Sequence, residues 1–151
     1  MTTEQEKILF LDFDGVITSE PFTRKCIFEC RRENWYWLDW FDPKCIEQLR
    51  RIVVATGVKI VVSSSWRDLG MDKLRKVWAE NNMPGELIDT TPIWVLTKVE
   101  AIKQWLKDHP CRRFAVLDDS ELDVPNLVKT DPYTGLTEHE AEKIITVLLS
   151  K

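Results

Sequence analysis

Residues 7–16 have the sequence Lys-Ile-Leu-Phe-Leu-Asp-Phe-Asp-Gly-Val. The apolar run shows no helical periodicity and is too short for a typical helix, so it predicts a buried β-strand. Because side chains alternate across a strand, we expect Asp12 and Asp14 to point in the same direction. Two carboxylates at the end of a buried strand repel each other and are costly to desolvate, and a Mg²⁺ ion with oxygen ligands removes that cost. Gly15 lets the chain turn sharply after the pair.

Two other structures also begin with closely spaced acidic residues. An acidic pair can cap the passage from strand to loop without holding any ligand. A calcium-binding helix–loop–helix motif also begins Asp-x-Asp, but here the glycine comes too early and a strand precedes it, so the motif is excluded.

The composition is that of an ordinary globular domain. The chain has 151 residues, of which 44% are hydrophobic and 30% charged, which predicts one domain spanning residues 1–151. A net charge of -4 excludes a general electrostatic attraction to nucleic acid or anionic membranes. The polar N-terminus is unlike a signal peptide, and no apolar run approaches the length of a membrane span. The four cysteines lack paired zinc-knuckle spacing, so we expect reduced thiols and a cytoplasmic protein.

The rest of the chain alternates between strand and helix patterns. Further strands are predicted at 58–62, 86–89, 114–117 and 127–128, and helices after Asp42, the serine run 63–65, Thr97 and Thr137. Residues 16–42 lack a regular pattern and predict a flap with a short strand or hairpin near Trp35 and Trp37. The alternation predicts an α/β, three-layer, Rossmann-like fold with a central parallel sheet.

In such a fold the functional groups gather where the strands end and the helices begin. That rule brings together Asp12, Asp14, the serines at 63–65, Lys98, Asp118 and Asp119. Four carboxylates suit one Mg²⁺, and a hydroxyl with basic groups suits the oxygens of a phosphoryl group. A cation at the first helical position opposes the helix dipole by roughly 0.3–1 kcal/mol, which favours a role for Lys98, although an exposed lysine at a helix start is also common.

Other chemistries fit the sequence less well. One of the three serines could simply cap a helix, and the backbone N–H groups at that helix start could bind phosphate. The chain has no glycine-rich phosphate loop and no Gly-x-Ser-x-Gly elbow. His109 and His139 lie at predicted helix ends, and His109 is expected near the opposite edge of the sheet, which disfavours a serine–histidine hydrolase.

Taken in order, these motifs resemble those of the haloacid dehalogenase phosphatases. The resemblance rests on Asp12-Phe13-Asp14-Gly15, the serines 63–65, Lys98 and Asp118-Asp119, and it covers nearly the whole chain. The form Ser-Ser-Ser-Trp-Arg is most similar to the haloacid-dehalogenase-like domains associated with RNA repair proteins. Its Ser-x-Arg step also resembles the phosphatase domain of polynucleotide kinase-phosphatases, which favours Ser65 and Arg67 as phosphate-binding residues, while Ser63 and Ser64 stay open.

The resemblance implies a two-step hydrolysis of a phosphorylated substrate. Asp12 would form an aspartyl-phosphate, and Asp14 would protonate the leaving oxygen and then deprotonate water. Ser65 and Lys98 would hold the phosphoryl oxygens, with Gly15, Ser64 and Arg67 beside them. Magnesium would be held by Asp12, the backbone carbonyl of Asp14, and Asp118 or Asp119, with Asp123 as a reserve ligand.

The predicted flap gives the best sequence indication of the substrate. The family often has a large cap domain, for which this chain has no room, and an open site admits a nucleic-acid end, a nucleotide or a phosphoprotein. Trp35 and Trp37 beside Arg31 and Arg32 suit a base stacked above its phosphate, although the same tryptophans could fill a core or a dimer interface.

Three functions therefore stay open at this point. The first is a magnesium-dependent phosphatase of nucleotide or nucleic-acid phosphates. The second is a phosphatase of the same class for a small metabolite or a phosphoprotein. The third is a phosphate-binding module without turnover.

Overall fold

The computed structural model describes residues 6–29, 41–95, 97–111 and 113–150, and these form a five-stranded parallel sheet flanked by helices. The strands are β1 (Lys7–Leu11), β2 (Lys59–Val62), β3 (Leu87–Thr90), β4 (Arg113–Asp118) and β5 (Leu127–Lys129), in the spatial order β3-β2-β1-β4-β5. The helices are α1 (Glu20–Glu29), α2 (Pro43–Thr56), α3 (Met71–Glu80), α4 (Lys98–Asp108) and α5 (Glu138–Leu149). The predicted α/β, Rossmann-like architecture is confirmed.

The central strand β1 is covered on both faces, which explains its continuous apolar sequence. Leu9 and Leu11 belong to the core cluster that contains residues of α2, α3 and α5. Ile8 and Phe10 belong to a second cluster with Ile102 and other residues of α4. The alternation of β1 side chains thus divides the core into two layers, one on each side of the sheet.

The helix starts follow from capping residues that the sequence contains. Asp42 accepts a hydrogen bond from the Lys44 N–H at 2.9 Å, and Pro43 occupies the first turn of α2. Thr97 accepts a hydrogen bond from the Glu100 N–H at 3.0 Å and so begins α4 at Lys98. This cap places Lys98 at the edge of the sheet where β1 and β4 end.

The segment after Gly15 differs from the prediction of an irregular flap, because residues 20–29 form helix α1. The helix begins after Ser19, whose backbone carbonyl accepts a hydrogen bond from the Thr23 N–H at 2.9 Å. Its apolar side chains Ile27 and Phe28 are exposed, so the helix has no strong apolar stripe from which it could have been predicted. Residues 30–40, with Trp35 and Trp37, lie outside the described residues.

No helix among the described residues is both long and apolar enough to cross a membrane. Cys45 and Cys111 are free thiols.

Candidate active site

Three carboxylates meet where β1 and β4 end. The two strands pair in parallel with Leu11 opposite Leu117, so the residues that follow, Asp12 and Asp118, stand side by side. A ligand oxygen of Asp12, one of Asp118 and one of Asp119 all lie within 4.8 Å of one another. Asp12 is 5% exposed and Asp118 is fully buried, so their negative charges lie close together and largely out of water.

This crowding changes the protonation of the cluster. Burial, and then the neighbouring Asp118 carboxylate, raise the pKa of Asp12 to about 8. The same two causes raise the pKa of Asp119 above its usual range. A divalent cation would favour the charged forms of all three groups, and Mg²⁺ prefers hard oxygen ligands of this type. The donor set therefore fits Mg²⁺.

Lys98 supplies a positive charge to the same cluster. Its Nζ donates a hydrogen bond to Asp118 Oδ2 at 2.8 Å and lies 3.6 Å from Asp12 Oδ2. Burial alone would lower the pKa of Lys98, but Asp12 and Asp118 outweigh burial and raise it, so the ammonium stays charged. The structure thus joins Asp12, Lys98, Asp118 and Asp119, four residues that the sequence predicted to share one edge.

The carboxylate of Asp14 has a different environment. It is exposed, and its Oδ2 accepts a hydrogen bond from Trp66 Nε1 at 3.1 Å. It is not one of the three carboxylates that the described residues bring together. Asp123, the reserve ligand of the sequence analysis, is likewise exposed and outside that group.

Gly15 is required by its backbone and by its neighbours. Its φ is +81°, and a Cβ built there would lie 2.2 Å from Asp119 Oδ2. Its N–H donates to Thr18 Oγ1 at 2.9 Å, and its carbonyl accepts from Thr130 Oγ1 at 2.7 Å. The turn that carries Asp14 is therefore fixed from both sides.

The three serines after β2 occupy three different environments. Ser63 is fully buried, and its Oγ has no hydrogen-bond partner among the described residues. Ser64 accepts a hydrogen bond from the Trp66 N–H at 3.1 Å and so caps the 3₁₀ helix of Ser65–Leu69. Ser65 is exposed, so its hydroxyl is accessible to a substrate.

Arg67 folds back onto the serine segment. Its Nη1 donates to the carbonyl oxygen of Ser64 at 3.3 Å and to that of Ser63 at 3.5 Å. Its Nε is buried and has no partner in the described part of the chain. The guanidinium therefore reinforces the segment that presents Ser65.

Several residues that support the site were not predicted from the sequence. The ring of Trp66 packs on Phe13 and Phe41, with centroid distances of 5.1 and 5.6 Å, beside Trp78. These aromatic residues fix the indole that donates to Asp14. The hydroxyls of Thr18 and Thr130 fix Gly15. Trp66 lies 52 residues from Asp14 and Thr130 lies 115 residues from Gly15, and no spacing in the sequence indicates contacts across such distances.

The chain belongs to a family whose model is described as "HAD domain in Swiss Army Knife RNA repair proteins". That model matches residues 8–141, which includes the whole site described above. Neither a comparison with curated proteins nor one with solved structures gave a match.

Proposed function

We propose that this member of the family is a magnesium-dependent phosphomonoesterase that acts on the phosphorylated end of a nucleotide or nucleic acid through an aspartyl-phosphate. The observation that carries the proposal is the cluster of Asp12, Asp118 and Asp119 with the Lys98 ammonium beside it. Family membership supports phosphatase chemistry and a substrate from RNA repair.

In the first step, a carboxylate oxygen of Asp12 attacks phosphorus while the bond from phosphorus to the leaving oxygen breaks. Asp14 gives its proton to that oxygen, so the product leaves as a neutral alcohol. The exposure of Asp14 suits a group that must exchange protons with solvent.

In the second step, Asp14 removes a proton from water, the water oxygen attacks phosphorus, and the bond to Asp12 breaks. Inorganic phosphate leaves and the Asp12 carboxylate is restored. Lys98 offsets negative charge on the phosphoryl oxygens in both steps, and Ser65 donates a hydrogen bond to them.

Asp12 must be ionised to act as a nucleophile. With its pKa raised to about 8, a large fraction of Asp12 is protonated near neutral pH unless a further cation is bound. Mg²⁺ bound by Asp12, Asp118 and Asp119 would supply that charge and screen the substrate phosphate. Asp118 and Asp119 therefore have two effects: their charges raise the pKa of the nucleophile Asp12, and their oxygens would hold the metal.

The proposal is tested by measuring phosphate release from an aryl phosphate and from phosphorylated nucleotides, with Mg²⁺ and after exhaustive chelation. Release that depends on Mg²⁺ and is lost in Asp12→Asn supports it. Asp72→Asn is the matched control, since Asp72 is an exposed aspartate of α3 that is not one of the three clustered carboxylates. Full release after chelation would contradict the magnesium requirement. A folded wild-type protein that binds phosphate without turnover would indicate the non-catalytic alternative.

A further inference from the structure

The loop between β3 and α4 exposes a tryptophan near the proposed active site. Trp94 is 72% exposed, and the neighbouring Ile93 is 60% exposed. By contrast, Trp78 and Trp105 are buried in the core. Among the described tryptophans, Trp94 is therefore the one that presents most of its indole to solvent, beside a second exposed apolar side chain.

Two concave surfaces meet at Trp94. One, of about 470 Å³, is lined by Trp94 together with Lys103 and Lys107, with the single acidic residue Glu100. Lys103 and Lys107 are exposed, lie four residues apart on α4, and form no ion pair with another residue in the described ranges. The other surface, of about 440 Å³, extends from Trp94 to Arg67, and Asp68, Asp89 and Asp108 also line it. The lysine-lined surface is therefore the one that suits an anionic ligand.

Chain geometry ties this surface to the acidic cluster. Trp94 precedes Lys98 by four residues, so their Cα atoms are at most about 14 Å apart. Lys103 and Lys107 lie roughly 7.5 and 13.5 Å along α4 from Lys98. A nucleic-acid strand advances about 3.4 Å per nucleotide when stacked, so the surface lies within about four nucleotides of a phosphate held at Lys98.

We propose that Trp94, Lys103 and Lys107 hold the single-stranded polynucleotide that leads to the phosphorylated end at the acidic cluster. A base stacks on the Trp94 indole, and the two lysines neutralise backbone phosphates beyond it. The positive charge is local, because the chain as a whole carries -4. Lys103 and Lys107 are too far along the helix to touch the reacting phosphate. They therefore increase the affinity for a longer substrate and take no part in the chemical step. That the polynucleotide leads to the acidic cluster rests on the proposed function. That it binds at Trp94, Lys103 and Lys107 does not depend on that function.

The first test measures binding without turnover. Fluorescence anisotropy of labelled, unphosphorylated eight-nucleotide single strands of RNA and DNA is recorded with the full chain. Trp94→Ala should weaken binding roughly 5- to 150-fold, whereas Trp94→Phe should retain much of the affinity. The double variant Lys103→Gln/Lys107→Gln should make the plot of log K against log salt concentration less steep by about 1.4. This is about 0.7 for each lost phosphate contact.

Lys73→Gln/Lys76→Gln is the matched control, because these two exposed lysines of α3 give the same change of net charge. Unaltered affinity in Trp94→Ala, or an equal loss in the control pair, would overturn the proposal. So would tighter binding of a phosphopeptide than of either oligonucleotide. Thermal melts of each variant establish that it is folded.

The second test uses the enzyme activity. The ratio of kcat/KM for a phosphorylated octanucleotide to kcat/KM for an aryl phosphate should fall in Trp94→Ala, mainly through a higher KM for the octanucleotide. If the wild-type protein binds single strands through Trp94 yet releases no phosphate from any substrate, the proposed function fails while the binding surface stands. If it hydrolyses phosphate but Trp94→Ala leaves both oligonucleotide affinity and the ratio unaltered, only this inference fails.

Discussion

Asp12 and Asp14 are two residues apart in the chain, yet the structure gives their carboxylates different surroundings. Asp12 is buried beside Asp118 and Lys98, whereas Asp14 is exposed and accepts a hydrogen bond from the Trp66 indole. The first environment suits a nucleophile held next to a cationic side chain, and the second suits a group that exchanges protons with solvent. In the proposed mechanism, burial and neighbours, more than residue type, distinguish the two roles.

The largest expected effect comes from removing the buried member of the pair. Asp12→Asn keeps the shape of the side chain but abolishes the nucleophile, so phosphate release should fall by at least about 10³-fold for every substrate. Steady-state kinetics with a thermal melt checks this. Comparable turnover by folded Asp12→Asn protein would falsify the covalent mechanism.

Replacing Asp14, the exposed member, should slow hydrolysis by a factor that depends on the leaving group. Replacing Asp12 should slow hydrolysis of all substrates alike. Asp14→Asn should slow hydrolysis of an alkyl phosphate, such as a nucleotide, by roughly 10²- to 10⁴-fold. Hydrolysis of an aryl phosphate should fall less, because its leaving group needs no proton. The measurement is kcat/KM for the two substrates in the wild type and in both variants. Equal losses on both substrates would show that Asp14 is not the general acid.

The third prediction concerns pH and metal. Since the pKa of Asp12 is raised from 3.8 to about 8, the metal-free folded state binds more protons than the unfolded state between these values. This group therefore makes the metal-free protein less stable as pH rises from about 4 to 8. Mg²⁺ must displace that proton, so its apparent affinity should rise with pH by up to about tenfold per unit below pH 8.

Titration calorimetry with Mg²⁺ at pH 6, 7 and 8, together with thermal melts, measures both effects. Asp12→Asn is the control, since it removes the group whose pKa is raised to about 8 and should weaken the pH dependence of Mg²⁺ affinity. Affinity that is independent of pH in the wild type would contradict the role of Asp12 as a metal ligand that loses a proton.

The sequence predicted the sheet and the acidic edge because both depend on local patterns joined by one topological rule. Apolar runs such as residues 7–11 identify strands, and parallel strands bring their ends to one edge. That reasoning was sufficient to join Asp12, Lys98 and Asp118. It failed for α1, because a largely exposed helix shows weak periodicity.

The finer parts of the site depend on side-chain geometry that no local pattern specifies. Three consecutive serines have the same chemistry in the sequence, but the structure makes Ser63 buried, Ser64 a cap and Ser65 exposed. Trp66 reaches Asp14 across 52 residues of chain, and Trp94 becomes notable only once its exposure is known. The stacking role predicted for Trp35 and Trp37 stays a prediction, since both lie outside the described residues.

The smallest expected effect tests whether Trp66 positions the Asp14 carboxylate apart from that of Asp12. Trp66→Phe retains an aromatic ring against Phe13 and Phe41 but removes the indole N–H that donates to Asp14. Losing one such hydrogen bond, worth about 0.5–1.5 kcal/mol, should lower kcat for a nucleotide roughly 2- to 13-fold. The loss should be smaller for an aryl phosphate, as it is in Asp14→Asn.

A double variant separates positioning from packing. If Trp66 acts through Asp14, Trp66→Phe should cost little more when Asp14→Asn is already present, because the group it positions is gone. If Trp66 only fills the aromatic cluster, the two losses should multiply and both substrates should be affected equally. Kinetics of the wild type, the two single variants and the double variant, each with a thermal melt, decides between these outcomes. A multiplicative result would reduce Trp66 to a packing residue and leave Asp14 positioned by the Gly15 turn alone.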